Sequence, residues 1–249
     1  MSESRVIAIV QARMGSSRLP GKILCDIDGE TMLGRIVRRL QRARSLDAVV
    51  IATTCVPGDD ATEGECTRLG VPSFRGSEHD VLDRFFRASA EHRASVAVRV
   101  TADCPLVDPQ VVDWVVNEFS AADVDYASNV LQRTFPRGLD VEVISYSALE
   151  RAWREDDDPS SREHVTPCIY RHPDRFRLHG VVNAEDHSGY RWTVDTPEDL
   201  AFVRKIYTHL GHDEFSWQDV LALLRQRPEW AEINRHVQQK VVAYREPSP

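Results

Sequence analysis

Apolar residues come along this chain in short unbroken runs that alternate with segments of helical spacing, and that alternation sets the fold class. Val6 to Val10 is a continuous β-branched and apolar run, the mark of a strand buried on both faces, and a polar stretch with Gly15, Pro20 and Gly21 follows from Gln11 to Lys22. Asp28-Gly29 reads as a turn. Thr31 then stands where it can cap a helix whose Met32, Leu33, Ile36, Val37 and Leu40 fall at helical spacing, with arginines on the other face. Ala48 to Ala52 predicts a second buried strand, Asp59 to Leu69 a helix, Val71 to Phe74 a short strand, Val81 to His92 a helix, and Val96 to Thr101 another strand. Strands and helices alternating over short connections predict an α/β fold: a Rossmann-like open, mostly parallel twisted sheet with helices on both faces.

The second half is less regular. Val111 to Phe119 predicts a helix, while Tyr126 to Ile144, with Pro136, Gly138 and alternating Leu139, Val141 and Val143, predicts antiparallel strands or a small protruding arm. Beyond it come a helix over Tyr146 to Arg154, a turn at Asp156 to Pro159, a strand over Phe176 to Asn183, and helices over Thr196 to Leu210 and Asp219 to Arg227. Glu246 to Pro249 reads as a frayed tail. With no low-complexity linker and no internal repeat, residues 1–249 form one domain.

Composition narrows the partners. A formal net charge of −8 repels polyphosphate backbones, so nucleic acid is disfavoured. The run Val6 to Val10 is too short for a secretory h-region or a membrane span, which excludes a membrane role and makes the cytoplasm the expected location. Five scattered cysteines without a C-x-x-C pair fit a reducing compartment. Only Lys22, Lys205 and Lys240 among the 31 basic residues are lysines, so each lysine is of interest.

The strongest local signal is the stretch Gln11 to Lys22, which directly follows the first strand, where α/β sheets place their ligands. Gly15, Ser16 and Ser17 can turn backbone N–H groups inward as an anion nest, and Arg13, Arg18 and Lys22 bring three cations to the same loop. It is not a P-loop, because five residues separate Gly15 from Gly21 and Ile23 follows Lys22, and the G-x-G-x-x-G fingerprint is absent. The second signal, Thr101 to Pro109, follows the strand Val96 to Thr101 and places Asp103 where a carboxylate holds Mg²⁺ against phosphate oxygens; Asp108, before Pro109 and Val111, reads rather as a helix cap. The third, Tyr190 to Leu200, contains a capped helix start at Thr196 with Asp199 in the place of the usual glutamate, and leaves Asp195 at a strand's end with no capping duty.

Together these segments resemble the cytidylyltransferase family that includes the synthetases of CMP-activated sialic acid and Kdo, and most of all its spore-coat polysaccharide branch. The residues that carry the resemblance are Gln11 to Lys22, Thr101 to Pro109, Pro136 to Val143, Arg162 to Pro167 and Arg191 to Leu200, in the family's order. The resemblance implies a nucleotide-diphospho-sugar transferase-like fold, a homodimer, CTP as nucleotide and Mg²⁺ held by Asp103 and Asp195. It implies catalytic roles for Lys22, Arg13 and Arg18, and nucleotide contacts from Gln11, Ala12, Gly15, Ser16, Ser17, Thr53 and Thr101. The nucleotide-binding half then covers about 1–125, an acceptor-binding and arm region about 126–195, and C-terminal helices 196–249. Arg137, Glu142, Arg162 and His164 are the expected acceptor contacts, since an acidic sugar needs a cation for its carboxylate. Where the Kdo enzymes carry V-Q-G-D, this chain has Val100-Thr101-Ala102-Asp103, and Thr53-Thr54-Cys55 replaces acidic residues after their second strand.

The expected reaction is Mg²⁺-dependent transfer of CMP from CTP to a sugar acid with release of pyrophosphate, in surface polysaccharide or glycan biosynthesis. Two rivals remain at this point: a nucleotide-sugar glycosyltransferase, which would show a D-x-D pair at the end of a central strand, and a non-catalytic nucleotide-binding relative. The spellings Asp123-Val-Asp125 and Asp156-Asp157-Asp158 do not follow a predicted central strand.

Overall fold

The computed structural model describes residues 4–239; the predicted tail Glu246 to Pro249 lies outside them. Strands are β1 (Val6–Gln11), β2 (Asp26–Ile27), β3 (Glu30–Thr31), β4 (Ala48–Thr54), β5 (Ser73–Gly76), β6 (Val96–Thr101), β7 (Tyr126–Ser128), β8 (Glu142–Ser145) and β9 (Leu178–Gly180). Helices are α1 (Met32–Leu40), α2 (Asp60–Leu69), α3 (Val81–Glu91), α4 (Pro109–Ala122), α5 (Tyr146–Glu155), α6 (Pro159–His164), α7 (Pro167–Tyr170), α8 (Pro197–Leu210), α9 (Trp217–Gln226) and α10 (Pro228–Ala231).

Seven strands form one sheet in the order β5-β4-β1-β6-β8-β7-β9, and β2 pairs with β3 in a small separate hairpin. β5, β4, β1 and β6 run parallel, β8 runs against both its neighbours, and β9 is parallel to β7. The apolar runs read as continuous because both faces are covered. Ala8, Val10, Val49, Ile51, Val98 and Val100 point into one core, with residues of α1, α4, α8 and α9, whereas Ile7, Ile9, Val50, Ala52 and Ala97 point into the other, with residues of α3 and α5. The carboxyl ends of β1, β4 and β6 thus come side by side, which is where the loops with unusual chemistry begin.

The region 126–145 joins the main sheet: Tyr126 to Ser128 pair with Ile144 to Glu142, and Val96 to Arg99 with Ser145 to Glu142. The alternating residues Leu139 and Val141 belong to the connection between β7 and β8 and fill the core from a loop. That connection holds the chain ahead of α8. Arg137 exchanges backbone hydrogen bonds with Tyr190 and Trp192 at 3.0 and 2.7 Å, and a Cβ on Gly138 (φ +109°) would lie 2.6 Å from the backbone nitrogen of Thr193. Residues 190–195 form no strand of the sheet, so Asp195 does not end one; an isolated bridge between Arg137 and Arg191 takes its place. The turn expected at Asp156 to Pro159 is the start of α6, because Asp158 accepts from the Ser160 and Ser161 amides and Pro159 takes the first helical position.

Candidate active site

A cleft of about 330 Å³ opens at the carboxyl ends of β1 and β6. The loop after β1 forms one wall, and its shape comes from the backbone: the Ser16 and Gly21 amides both donate to the Met14 carbonyl, at 2.9 and 3.0 Å, and Gly21 supplies the left-handed turn (φ +70°) that starts the short helix of Lys22. Asp59, buried just ahead of α2, accepts from the Met14 amide at 2.6 Å and from the hydroxyls of Thr54 and Thr62. This buried carboxylate ties the loop to the sheet.

Lys22 crosses the cleft. Its Nζ donates to Asp103 Oδ2 at 3.2 Å, to Asp195 Oδ1 at 2.9 Å and to the Val194 carbonyl at 2.8 Å. Burial works against its charge, but Asp103 and Asp195 outweigh that penalty and hold the ammonium above its ordinary pKa. Asp195 receives two further cations, Arg18 at 2.8 Å and Arg191 at 3.0 Å, and despite burial its carboxyl sits below the usual range, chiefly because of Lys22. Arg191 is itself oriented by Asp199, which also completes the cap of α8 with Thr196. Thr101 donates to Asp103 Oδ1 at 2.5 Å, and the Val194 amide to the Asp103 carbonyl at 2.7 Å, so the two carboxylate segments are fastened to each other.

Of the residues expected at the site, Gln11, Ala12, Arg13, Gly15, Ser16, Ser17, Arg18, Lys22, Thr101, Asp103, Asp195 and His164 line this cleft. Thr53 does not; it is buried in β4, with no acceptor for its hydroxyl among the described residues. Glu142 lies in the sheet, accepting from Arg99 and from the Tyr126 hydroxyl. Arg162 holds Asp80 at 2.8 Å and the carbonyls of Trp153 and Asp156, fastening α6 to the cap of α3. Arg137 lines a neighbouring cavity with Tyr190 and Arg191, where burial and then Arg133 lower its pKa. Asp108 caps α4 and also accepts from the Trp217 amide at 2.7 Å. The D-x-D spellings lie elsewhere: Asp123 and Asp125 pair with Arg177, and Asp158 caps α6.

The cleft also includes Arg84, which no motif marks, and Glu163, which lies in the segment Arg162 to Pro167 but has no expected role there. Arg84 leaves a trace in the sequence, since it interrupts the apolar stripe of Val81, Phe85 and Ala88. No cluster of three His, Cys, Asp or Glu suited to a metal occurs among the described residues. Asp103 and Asp195 nevertheless fit a divalent cation of the Mg²⁺ kind, which takes one or two carboxylates and completes its shell from phosphate and water. The Lys22 ammonium lies between them, within reach of both carboxylates.

A cationic loop facing two carboxylates across the end of a parallel sheet places the chain among nucleotide-binding α/β transferases. Residues 7–235 match the cytidylyltransferase family, and the chain belongs to it; it is a nucleotidyltransferase. It is 33% identical over 236 residues to the spore coat polysaccharide biosynthesis protein SpsF of Bacillus subtilis, covering 91% of this chain and 96% of that one. It is 31% identical over 183 residues to the 3-deoxy-manno-octulosonate cytidylyltransferase of Sodalis glossinidius, covering 67% and 71%. A cytidylyltransferase structure from Leptospira borgpetersenii superposes with a TM-score of 0.89 at 33% identity, covering 96% of this chain and all of that one.

Proposed function

We propose that the protein transfers CMP from CTP to a sugar acid in surface polysaccharide biosynthesis, with release of pyrophosphate and with help from a divalent cation. One observation carries this reading: the only lysine in the first 200 residues is clamped between Asp103 and Asp195, beside a loop of amides and guanidinium groups. The sugar-acid acceptor is supported by the likeness to a 3-deoxy-manno-octulosonate cytidylyltransferase, and the pathway by the likeness to SpsF.

In the transfer, an acceptor hydroxyl oxygen bonds to the α-phosphorus, the bond to the bridging oxygen breaks, pyrophosphate leaves with the electron pair, and the hydroxyl proton goes to solvent. A divalent cation held by Asp103 and Asp195 supplies charge neutralisation at the phosphates. Arg13, Arg18 and Lys22 orient the triphosphate and stabilise the charge that builds up on it, which is most of what such a transfer asks of a protein. When a nucleotide enters, Lys22 exchanges its carboxylate partners for phosphate oxygens, freeing Asp103 and Asp195 for the cation. His164 faces this cleft; burial lowers its pKa, so at neutral pH it offers the acceptor a hydrogen bond rather than a charge. Incubation with CTP, Mg²⁺ and a panel of sugar acids, followed by mass spectrometry, is expected to show a CMP-linked sugar and its loss on chelation with EDTA. A product formed equally well in EDTA contradicts the role given to the cation.

A further inference from the structure

Arg84 is an exception among the buried arginines. Arg35 reaches Asp213 and the carbonyls of Ile27 and Asp28, Arg39 reaches three carbonyls, and Arg191 reaches Asp195 and Asp199. Arg84 is only 2% exposed, donates to the Ser77 carbonyl, and among the described residues makes no ion pair and finds no acceptor for its Nε. Burial is the main cause that lowers its pKa, to about 10, and the guanidinium of Arg13 adds to it, while Asp59, Glu78 and Asp80 act the other way without pairing with it. Burying a charge without a directly paired counter-charge is costly, and a fold that carries such a cost at a cleft wall commonly recovers it when a ligand arrives. α3 carries this side chain to the cleft lined by Gly15, Ser16 and Lys22, so Arg13 and Arg84 bring two guanidinium groups close together in its lining.

We infer that Arg84 is a phosphate-binding residue of the nucleotide site, gripping the triphosphate together with Arg13. A guanidinium fork suits a tetrahedral phosphate, and a polyanion between two arginines turns their repulsion into attraction for both. The inference rests on the reading of the cleft as a nucleoside triphosphate site, but its test need not rest on the base. Binding of inorganic tripolyphosphate, CTP and cytidine is measured calorimetrically for the wild type, Arg84→Gln and Arg84→Lys, with thermal melting in the absence of ligand. Arg84→Gln is expected to weaken tripolyphosphate and CTP alike by about 10- to 100-fold. It should leave cytidine within about twofold, with an unliganded melting temperature equal to or above the wild type's, since an unpaired buried charge has been removed. Arg84→Lys should fall between, keeping the charge without the fork.

Three outcomes overturn the assignment: unchanged tripolyphosphate binding in Arg84→Gln, a loss confined to CTP, which would place the guanidinium on the base, or a melting temperature that falls in both variants along with all ligands, which would make Arg84 a strut for the loop at Ser77. A wild type that binds tripolyphosphate but no CTP contradicts the proposed reaction and leaves the Arg84 result readable. A wild type that binds neither contradicts both.

Discussion

The two sides of the cleft are built over different distances along the chain, and this decides how each can be broken. The side proposed to hold the nucleotide is local: residues 11 to 22 form one loop whose amides fold back on the Met14 carbonyl, and Asp59 from outside accepts from the Met14 amide itself. The side proposed to hold the acceptor is assembled from far-apart pieces. Asp80 at the cap of α3 holds Arg162 of α6, which carries His164 to the cleft, and Gly138 lets the connection before β8 lie against Trp192 and Thr193, just ahead of Asp195. Substitutions in the first side should strike rate directly, and those in the second should act through position.

The largest effect is expected from Lys22→Ala, which removes the group proposed to stabilise charge at the phosphates and should lower kcat by about 10²- to 10³-fold with an unchanged circular dichroism spectrum. Pyrophosphate release measures it, and a near-normal kcat would take Lys22 out of the chemistry. Gly138→Ala comes next: its Cβ would meet backbone at 2.6 Å in a left-handed conformation, and the melting temperature should fall by about 5 °C or more. An unchanged melting curve would show that the 190–195 segment yields easily.

The third test is pH. Asp195 has a folded pKa below its ordinary 3.8, so its contribution to stability is present above that value and is lost as pH falls through the folded pKa. Lys22 is raised above 10.5, so its contribution is present below that value and is lost as pH rises through the folded pKa. The cluster therefore stabilises fully between about pH 4 and about pH 10, and Asp195→Asn should cost about 1–3 kcal/mol at pH 7, with a gap to the wild type that narrows towards pH 3. Urea midpoints at the two pH values check this; a gap constant with pH would mean that the lost carboxylate charge is not what matters.

Fourth, Asp80→Asn cuts the ion pair to Arg162 without removing a cleft residue. We expect the acceptor KM to rise about tenfold or less while the CTP KM stays within twofold, as for a partly exposed pair worth about 1 kcal/mol. Equal rises in both would mean that α3 moves as a whole. The smallest effect is expected from Thr53→Val, which replaces an unpaired buried hydroxyl by a methyl group and should leave both stability and the CTP KM nearly unchanged. A marked loss of CTP affinity would bring Thr53 back into the nucleotide site.

The same difference of scale explains what the sequence disclosed. The parallel core was legible because Val6 to Val10, Ala48 to Ala52 and Val96 to Thr101 are apolar runs whose meaning does not depend on the rest of the chain. The cationic loop was legible because its chemistry lies within twelve consecutive residues that follow such a run. Arg162 and Glu142 were harder, since an arginine or a glutamate inside a motif reads the same whether it faces a cleft or a partner such as Asp80 or Arg99, many residues away. The start of α6 at Pro159 reads as a turn in the sequence because Asp-Pro serves equally as turn or helix cap until the following residues find their packing.

The most direct test of the central claim is pyrophosphate release from CTP, UTP, GTP and ATP in the presence of Mg²⁺, with sugar acids and their neutral counterparts as acceptors. The account predicts release from CTP above all, only when a sugar acid is present, and at least about 100-fold slower in Lys22→Ala. Release at equal rates from all four nucleotides, or with neutral sugars as readily as with acids, would contradict it.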